Sequence, residues 1–259
     1  MTQFFDLLTQ RIVGSLASRM PTGSSSKRHV VEAVLRQLEE VTYSRLKERG
    51  FRPSCIVDIG AHVGLWTRST KNIFPDTPFI MIEAREEMRP DLERTAAAFR
   101  DVDVHIALLG PKDIPGGVTF FRAQGSASSL YRERSDAPMT PITVPMTTLD
   151  KILPTSLASP LFLKLDVQGG ELDVLRGADA ALKKTEVVQL EVALLPYNEG
   201  APTPLVVFSF MDELGFAIYD IAGFIRPNAR DLAQIDVIFV RKDSKLRPER
   251  FHFADPTAA

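Results

Sequence analysis

The chain has 259 residues, 44% of them hydrophobic, enough for one sizeable core and for an α/β domain with an appendage. A net charge of −2 and a pI near 6.1 argue against a dedicated nucleic-acid binder, which carries a basic surplus. Cys55 is the only cysteine, so no internal disulfide forms, no apolar run reaches the ~18 residues of a membrane span, and no secretory signal pattern opens the chain; the expectation is a soluble, cytoplasmic protein.

Residues 1–20 place Leu8, Ile12, Leu16 and Met20 at steps of four, the spacing of an amphipathic helix. Such a helix packs on the domain or on a second copy of the chain, which makes it a candidate homodimer contact. Arg11 and Arg19 alone are thin support for a membrane-surface role. Pro21 to Ser26 is a flexible break. A longer helix from Lys27 to Arg49 presents Val30, Val34, Leu38, Val41 and Leu46 on one side and is stopped by Gly50. Residues 1–50 therefore read as a helical extension, 51–243 as the main domain and 244–259 as a charged surface tail.

Strands and helices then alternate. Cys55–Ile59 is a strand, Leu65–Phe74 a helix, Phe79–Ile82 a strand ending at Glu83, Arg89–Phe99 a helix and Val102–Leu108 a third strand. This spacing predicts a parallel sheet with right-handed crossovers. Val118–Phe121 and Ile142–Met146 read as short strands of an antiparallel insertion, separated by a polar stretch from Ala123 to Pro141. Leu161–Leu165 resumes the sheet, followed by a helix through Leu172–Leu175, a strand Val187–Val192 and a helix Leu205–Leu214. Phe216–Asp220 and Ile235–Val240 close the sheet as a hairpin-like pair across the loop 221–234.

In a sheet of this kind ligands bind at the carboxyl ends of the strands. Asp58, Glu83 and Asp166 fall at such ends, and Glu83 follows Asp58 at about the distance where nucleotide-binding sheets place an acid for the ribose hydroxyls. After Asp58 come Gly60 and Gly64, with His62 where a pyrophosphate fingerprint G-x-G-x-x-G needs glycine. The turn suits a ligand whose cationic end meets Asp58, which points toward S-adenosylmethionine and leaves a nicotinamide dinucleotide as the alternative. Lys164 and Asp166, two apart on a strand, face the same way, and charges inside an apolar strand must be paired or used.

The stretches Asp58-Ile59-Gly60-Ala61-His62-Val63-Gly64, Ile82-Glu83-Ala84, Thr148-Leu149-Asp150, Lys164-Leu165-Asp166-Val167-Gln168-Gly169-Gly170-Glu171, Leu190-Glu191-Val192 and Asp236-Val237-Ile238-Phe239-Val240 together resemble the FkbM family of S-adenosylmethionine-dependent methyltransferases over roughly residues 54–241. The resemblance implies a Rossmann-like, seven-stranded class I methyltransferase sheet whose last strand is antiparallel, and O-methylation of hydroxyls on sugars, glycolipids or polyketides. It implies that Gly60, Ala61 and Gly64 contact the methionine part, Glu83 the ribose, and Asp58 and Asp166 the amino group and transfer site, with His62 and Ala84 beside them. His62 stands where the family usually has asparagine, and Gly170 where alanine is usual.

An alcohol is a poor nucleophile at neutral pH and calls for a base. Asp166, Glu191 and His62 are the candidate bases, and Lys164 completes the candidate catalytic set. Asp166, Glu171, Glu191 and Asp236 have the oxygen chemistry of a Mg²⁺ site, but no spacing is diagnostic of a metal. The segment 123–141, with Tyr131, Arg132 and Arg134, is the candidate acceptor lid, its arginines suited to phosphate or carboxylate. The rival readings are a nicotinamide-dependent oxidoreductase and a non-catalytic methyltransferase-fold module that binds a partner through residues 1–50.

Overall fold

Cys55–Ile59 and Leu161–Leu165 are buried at every position, as strands covered on both faces must be. They are the two central strands. The computed structural model describes residues 38–123, 125, 127–134, 138–227 and 230–247. The expected helix over 1–20, the break at 21–26, the first part of the 27–49 helix and most of the tail lie outside those residues.

The elements run in order as helix α1 (38–48), β1 (Cys55–Ile59), α2 (Leu65–Ile73), β2 (Phe79–Glu83), α3 (Arg89–Ala97), β3 (Val102–Ile106), β4 (Leu108–Leu109), β5 (Ile114–Ala123), β6 (Met139–Thr147), α4 (Leu149–Ile152), β7 (Leu161–Leu165), α5 (Glu171–Arg176), α6 (Asp179–Leu182), β8 (Thr185–Ala193), α7 (Pro204–Glu213), β9 (Phe216–Ile225) and β10 (Gln234–Arg241). The main sheet has seven strands in the order β3-β2-β1-β7-β8-β10-β9. All pairings are parallel except those of β10, which runs antiparallel to both β8 and β9. Order reverses between β1 and β7, the crevice where such sheets bind ligands.

Each face of the sheet buries its own core. Val57, Ile59, Leu163, Leu165, Val188, Leu190 and Phe239 point to α4–α7. On the other face Ile56, Phe162, Val187 and Val240 pack under Tyr43 and Leu46 of α1 and Phe74 behind α2. Phe162 is fully buried there, with Tyr43, Phe51 and Trp66 edge-on at ring-centroid distances of 5.7, 6.2 and 5.9 Å.

Three expectations need correction. The strand expected over Val102–Leu108 divides at Ala107, whose N–H still bonds the Glu83 carbonyl, while Leu108 and Leu109 turn away to pair with β6. The insertion is therefore a three-stranded sheet, β4-β6-β5, with strands longer than their alternation suggested. The loop expected over 221–234 shrinks because β9 continues to Ile225, its irregular pairing with β10 absorbing two register shifts. Among the described residues no helix is long and apolar enough to cross a membrane.

Truncating Phe162 removes the ring on which three aromatic side chains converge. Phe162→Ala should cost about 3–5 kcal/mol, read as a lower midpoint in equilibrium urea unfolding with an unchanged slope.

Candidate active site

The period of two along a strand decides which side chains meet at the carboxyl edge of the sheet. Asp58 of β1 pairs in register with Met81 of β2 and Lys164 of β7, and Lys164 with Gln189 of β8. Two residues further along, the same face presents Glu83, Gly60, Asp166 and Glu191. Glu191 stands directly opposite Asp236 of β10, and Asp236 opposite Gly223 of β9. One face thus changes from apolar rows under α1 to two polar rows at its edge.

The lower row is built on a buried charge cluster. Asp58 is fully buried; Thr67 of α2 donates its hydroxyl to Oδ2 at 2.7 Å, and Lys164 Nζ lies 3.2 Å from Oδ1. The same ammonium stands 3.5 Å from Asp166 Oδ2 and 5.7 Å from the centre of the Trp66 ring. Burial works against its charge, but Asp58 and Asp166 prevail and hold the Lys164 pKa above the ordinary lysine range.

In the upper row Asp166 is the reachable member, its side chain 38% exposed. Burial pushes its pKa up, yet the charge of Lys164 together with hydrogen bonds from Glu191, Gln168 and Lys164 outweighs burial, and the carboxyl is held below its usual value. Gln168 Nε2 donates to Asp166 Oδ1 at 2.9 Å and to Glu191 Oε2 at 3.0 Å, and the Tyr197 hydroxyl donates to Glu191 Oε1 at 3.0 Å. Burial, and then the charge of Asp166, push Glu191 well above the usual carboxylate range, while burial raises Asp236 to about 7.

These rows form the floor of a cavity of about 540 Å³, within the range of small-molecule sites. Part of its wall is short of side chains, with Gly60, Ala84 and Gly170, and part is apolar, with Ile82, Leu108 and Phe120. Gly60 has φ +78°, and a Cβ there would sit 1.9 Å from the Asp166 carbonyl oxygen, so only glycine lets the β1 turn touch the β7 loop. The Glu83 carboxylate accepts the His62 N–H at 2.8 Å and the Arg85 N–H at 3.1 Å. The Arg85 guanidinium lies 3.5 Å from Glu83 and donates to the carbonyls of Ala123 and Gly125, which ties the insertion to the rim. His62 adopts φ +51°, a left-handed region in which asparagine and histidine are both enriched, so its departure from the family's asparagine leaves the turn intact.

Of the residues expected at the site, Gly60, His62, Glu83, Ala84, Lys164, Asp166 and Glu191 line the cavity together. Three others stand behind it. Asp58 is sealed beneath Lys164, Ala61 packs among Met81 and Leu92, and Gly64 lies against Thr95 at the start of α2. The segment 123–141 contributes Ser128 and Leu130, whereas Arg132 and Arg134 are not among the lining residues. Its Ser129 hydroxyl donates to the Gln168 carbonyl and Tyr131 to Asp173, so the described part is pinned to the β7 loop and α5. Sequence reasoning missed Glu39, Trp66, Gln189 and Gln234. Gln189 carried a signal, a polar residue two before Glu191 on a buried strand. Glu39, a glutamate on a polar helix face, carried none. Among the described residues no group of three or more His, Cys, Asp or Glu is placed to hold a metal ion.

The strand order with β10 antiparallel, and a cavity over the carboxyl ends of β1, β2 and β7, define a class I, Rossmann-like methyltransferase. The profile of the methyltransferase FkbM domain matches residues 58–218, more than half of the sequence, and the chain belongs to this S-adenosylmethionine-dependent family. Solved structures similar to it include magnesium protoporphyrin IX methyltransferase from Synechocystis PCC 6803 with bound SAH (10% identity, 90% of this chain and 94% of that one, TM-score 0.47). Another is precorrin-6y C5,15-methyltransferase from Geobacter metallireducens GS-15 (16% identity, 80% and 88%, TM-score 0.45). No curated protein matches the sequence.

Removing the cation alone strands a fully buried carboxylate. Lys164→Met should cost roughly 3–5 kcal/mol in urea unfolding, and adding Asp58→Asn should recover most of the loss. Gly170 is unstrained and a Cβ there meets nothing closer than 3.5 Å. Gly170→Ala should therefore stabilise by about 0.4–1 kcal/mol, seen as a raised thermal midpoint.

Proposed function

We propose that the protein O-methylates a hydroxyl of a sugar, glycolipid or polyketide-like metabolite, with Asp166 as the base that takes the hydroxyl proton. The observation that carries this reading is the geometry of the upper row, where a carboxyl that opens to the cavity stands 3.5 Å from a buried ammonium. Asp166 is exposed to the cavity, and Lys164 with the hydrogen bonds from Glu191 and Gln168 favours its ionised form against burial, while burial and Asp166 push Glu191 beside it toward its protonated form. A carboxylate so placed accepts a proton as the acceptor oxygen forms its new bond, an assistance worth ~10²–10⁴-fold in rate.

The residues present fit an adenosyl ligand. Glu83, at the end of β2, is placed to accept the ribose hydroxyls. Ile82, Leu108 and Phe120 offer the purine an apolar slot, and the backbone around Gly60, His62 and Ala84 admits close approach. Ala61 and Gly64 shape that turn from behind, and Asp58 acts through Lys164. S-adenosylmethionine, when bound, supplies a methyl group on a sulfonium, a strong electrophile that needs only an aligned nucleophile. The floor residues Lys164, Gln168 and Tyr197 fix Asp166 and Glu191 in place, and fixed geometry is itself a large part of such catalysis.

Calorimetry with S-adenosylhomocysteine tests the cofactor half. Glu83→Ala should weaken binding by roughly 10–100-fold, the worth of hydrogen bonds to a charged group; unchanged affinity would place the ribose elsewhere. Asp166→Asn tests the catalytic half. With a hydroxylated acceptor found by mass-spectrometric screening, turnover should fall ~10²–10⁴-fold while S-adenosylhomocysteine affinity holds. A full-rate Asp166→Asn enzyme would remove Asp166 as the base.

A further inference from the structure

The cavity has a second wall, away from the glycine turn, and part of it comes from the helix that precedes the family's domain. Glu39 of α1 lines the cavity with Gln189, Gln234 and Asp236. Its carboxylate is held by Gln189 Nε2, which donates to Oε1 at 3.2 Å. Gln189 in turn accepts the Tyr43 hydroxyl, and Tyr43 accepts Trp66 Nε1–H at 2.9 Å. A chain of hydrogen bonds therefore fixes the helix, and with it Glu39, against the floor.

Asp236 is equally deliberate. It stands in register between Glu191 and Gly223, and a Cβ at residue 223 would come 2.5 Å from Asp236 Oδ2. The glycine makes room for this carboxylate. Two buried acids directly opposite on adjacent strands carry a cost, repulsion if both ionise or a retained proton if they do not, that packing does not require.

The polar groups of this wall are carboxyls and amides. Among the described lining residues the fully charged cations are Lys164 and Arg85. Lys164 lies between Asp58 and Asp166, and Arg85 is turned to Glu83 and two carbonyls on the far side of the cavity. An anionic group entering here would meet the carboxyl groups of Glu39, Asp236 and Glu191, and neither cation among the described lining residues is turned toward it. Hydroxyl and ammonium donors, in contrast, meet carboxyl and amide oxygens.

We propose that Glu39, Gln189, Gln234 and Asp236 form the acceptor subsite, and that it takes a neutral or amine-bearing polyol and rejects one bearing phosphate or carboxylate. This rests on the placement of the cofactor at the opposite wall. It makes α1 a specificity element of the enzyme, and Glu39 a residue that binds the acceptor directly.

Saturation-transfer NMR on the full chain, with S-adenosylhomocysteine bound, tests this without knowing the natural acceptor. The probes are D-glucosamine, methyl α-D-glucopyranoside and D-glucose 6-phosphate at neutral pH. Glucosamine and the methyl glycoside should receive saturation and the phosphate should not. The double variant Glu39→Gln/Asp236→Asn should lose most of the glucosamine signal while keeping its thermal midpoint and its affinity for S-adenosylhomocysteine. A response from glucose 6-phosphate as large as the others, no response from any sugar, or an unaltered response in the double variant overturns the proposal. Calorimetry on the same sample separates the two readings, because failure to bind S-adenosylhomocysteine counts against the cofactor placement instead.

Discussion

The ammonium of Lys164, held between Asp58 and Asp166 against the Trp66 ring, is the interaction on which the rest of the site depends. Taking the charges of Asp58 and Lys164 out of water is expensive, and their attraction offsets that only when the geometry is good and further hydrogen bonds support it. Asp58 takes a hydrogen bond from Thr67 of α2 on one oxygen and the Lys164 ion pair on the other, so the cluster joins β1, β7 and α2 in one constraint. The same ammonium sets the protonation of the row above. It favours the ionised form of Asp166, while burial and the charge of Asp166 push Glu191, on the neighbouring strand, toward its protonated form. Asp58 never reaches the cavity, yet it holds the ammonium that stands beside Asp166.

Rigidity around that cluster comes from the loop after β7. The Glu171 carboxylate accepts the N–H groups of Val167 and Gly169 at 3.0 and 3.1 Å, folding the loop back on the start of α5. Ser129 of the insertion and Asn198 both donate to the Gln168 carbonyl, at 2.6 and 2.8 Å. Gln168 itself, in a left-handed conformation with φ +56°, then reaches both Asp166 and Glu191. Glu171 is buried, which raises its pKa to about 7, and its role is to brace the loop rather than to meet a ligand. A site assembled this way holds its geometry through packing and outer hydrogen bonds, as catalytic constellations require.

Much of the fold was legible because it lies in short-range pattern. The β1 and β7 boundaries agree residue for residue with the apolar runs, and Glu83 and Asp166 line one cavity while Asp58 lies sealed beneath it. What escaped was decided by tertiary context. Nothing local distinguishes Leu108 from the end of β3; the strand leaves the sheet because β6 offers Leu108 and Leu109 a new partner. Helices α4 and α6 are four residues each, too short to show a period. Phe224 and Ile225 continue β9 past a glycine that reads as a turn and in fact clears space for Asp236. Within the site, the glycine turn and the lysine–aspartate strand announced themselves by breaking an apolar run. Glu39 is brought in by a helix packed across 150 positions of sequence, and no spacing rule reaches that far.

The polar rows also explain why one face of this sheet carries so much frustration. Below Asp58 and Lys164 the face is all hydrocarbon and ring, and extending that pattern to the edge would make a more stable sheet. Instead three acids stand side by side on β7, β8 and β10, two of them in direct register, with a single cation beneath. Like charges at that spacing lower stability, and burial drives two of the three toward the neutral form. Local rules broken at the mouth of a cavity, and kept everywhere below it, mark the boundary between the part of the sheet that holds the fold and the part that handles a ligand.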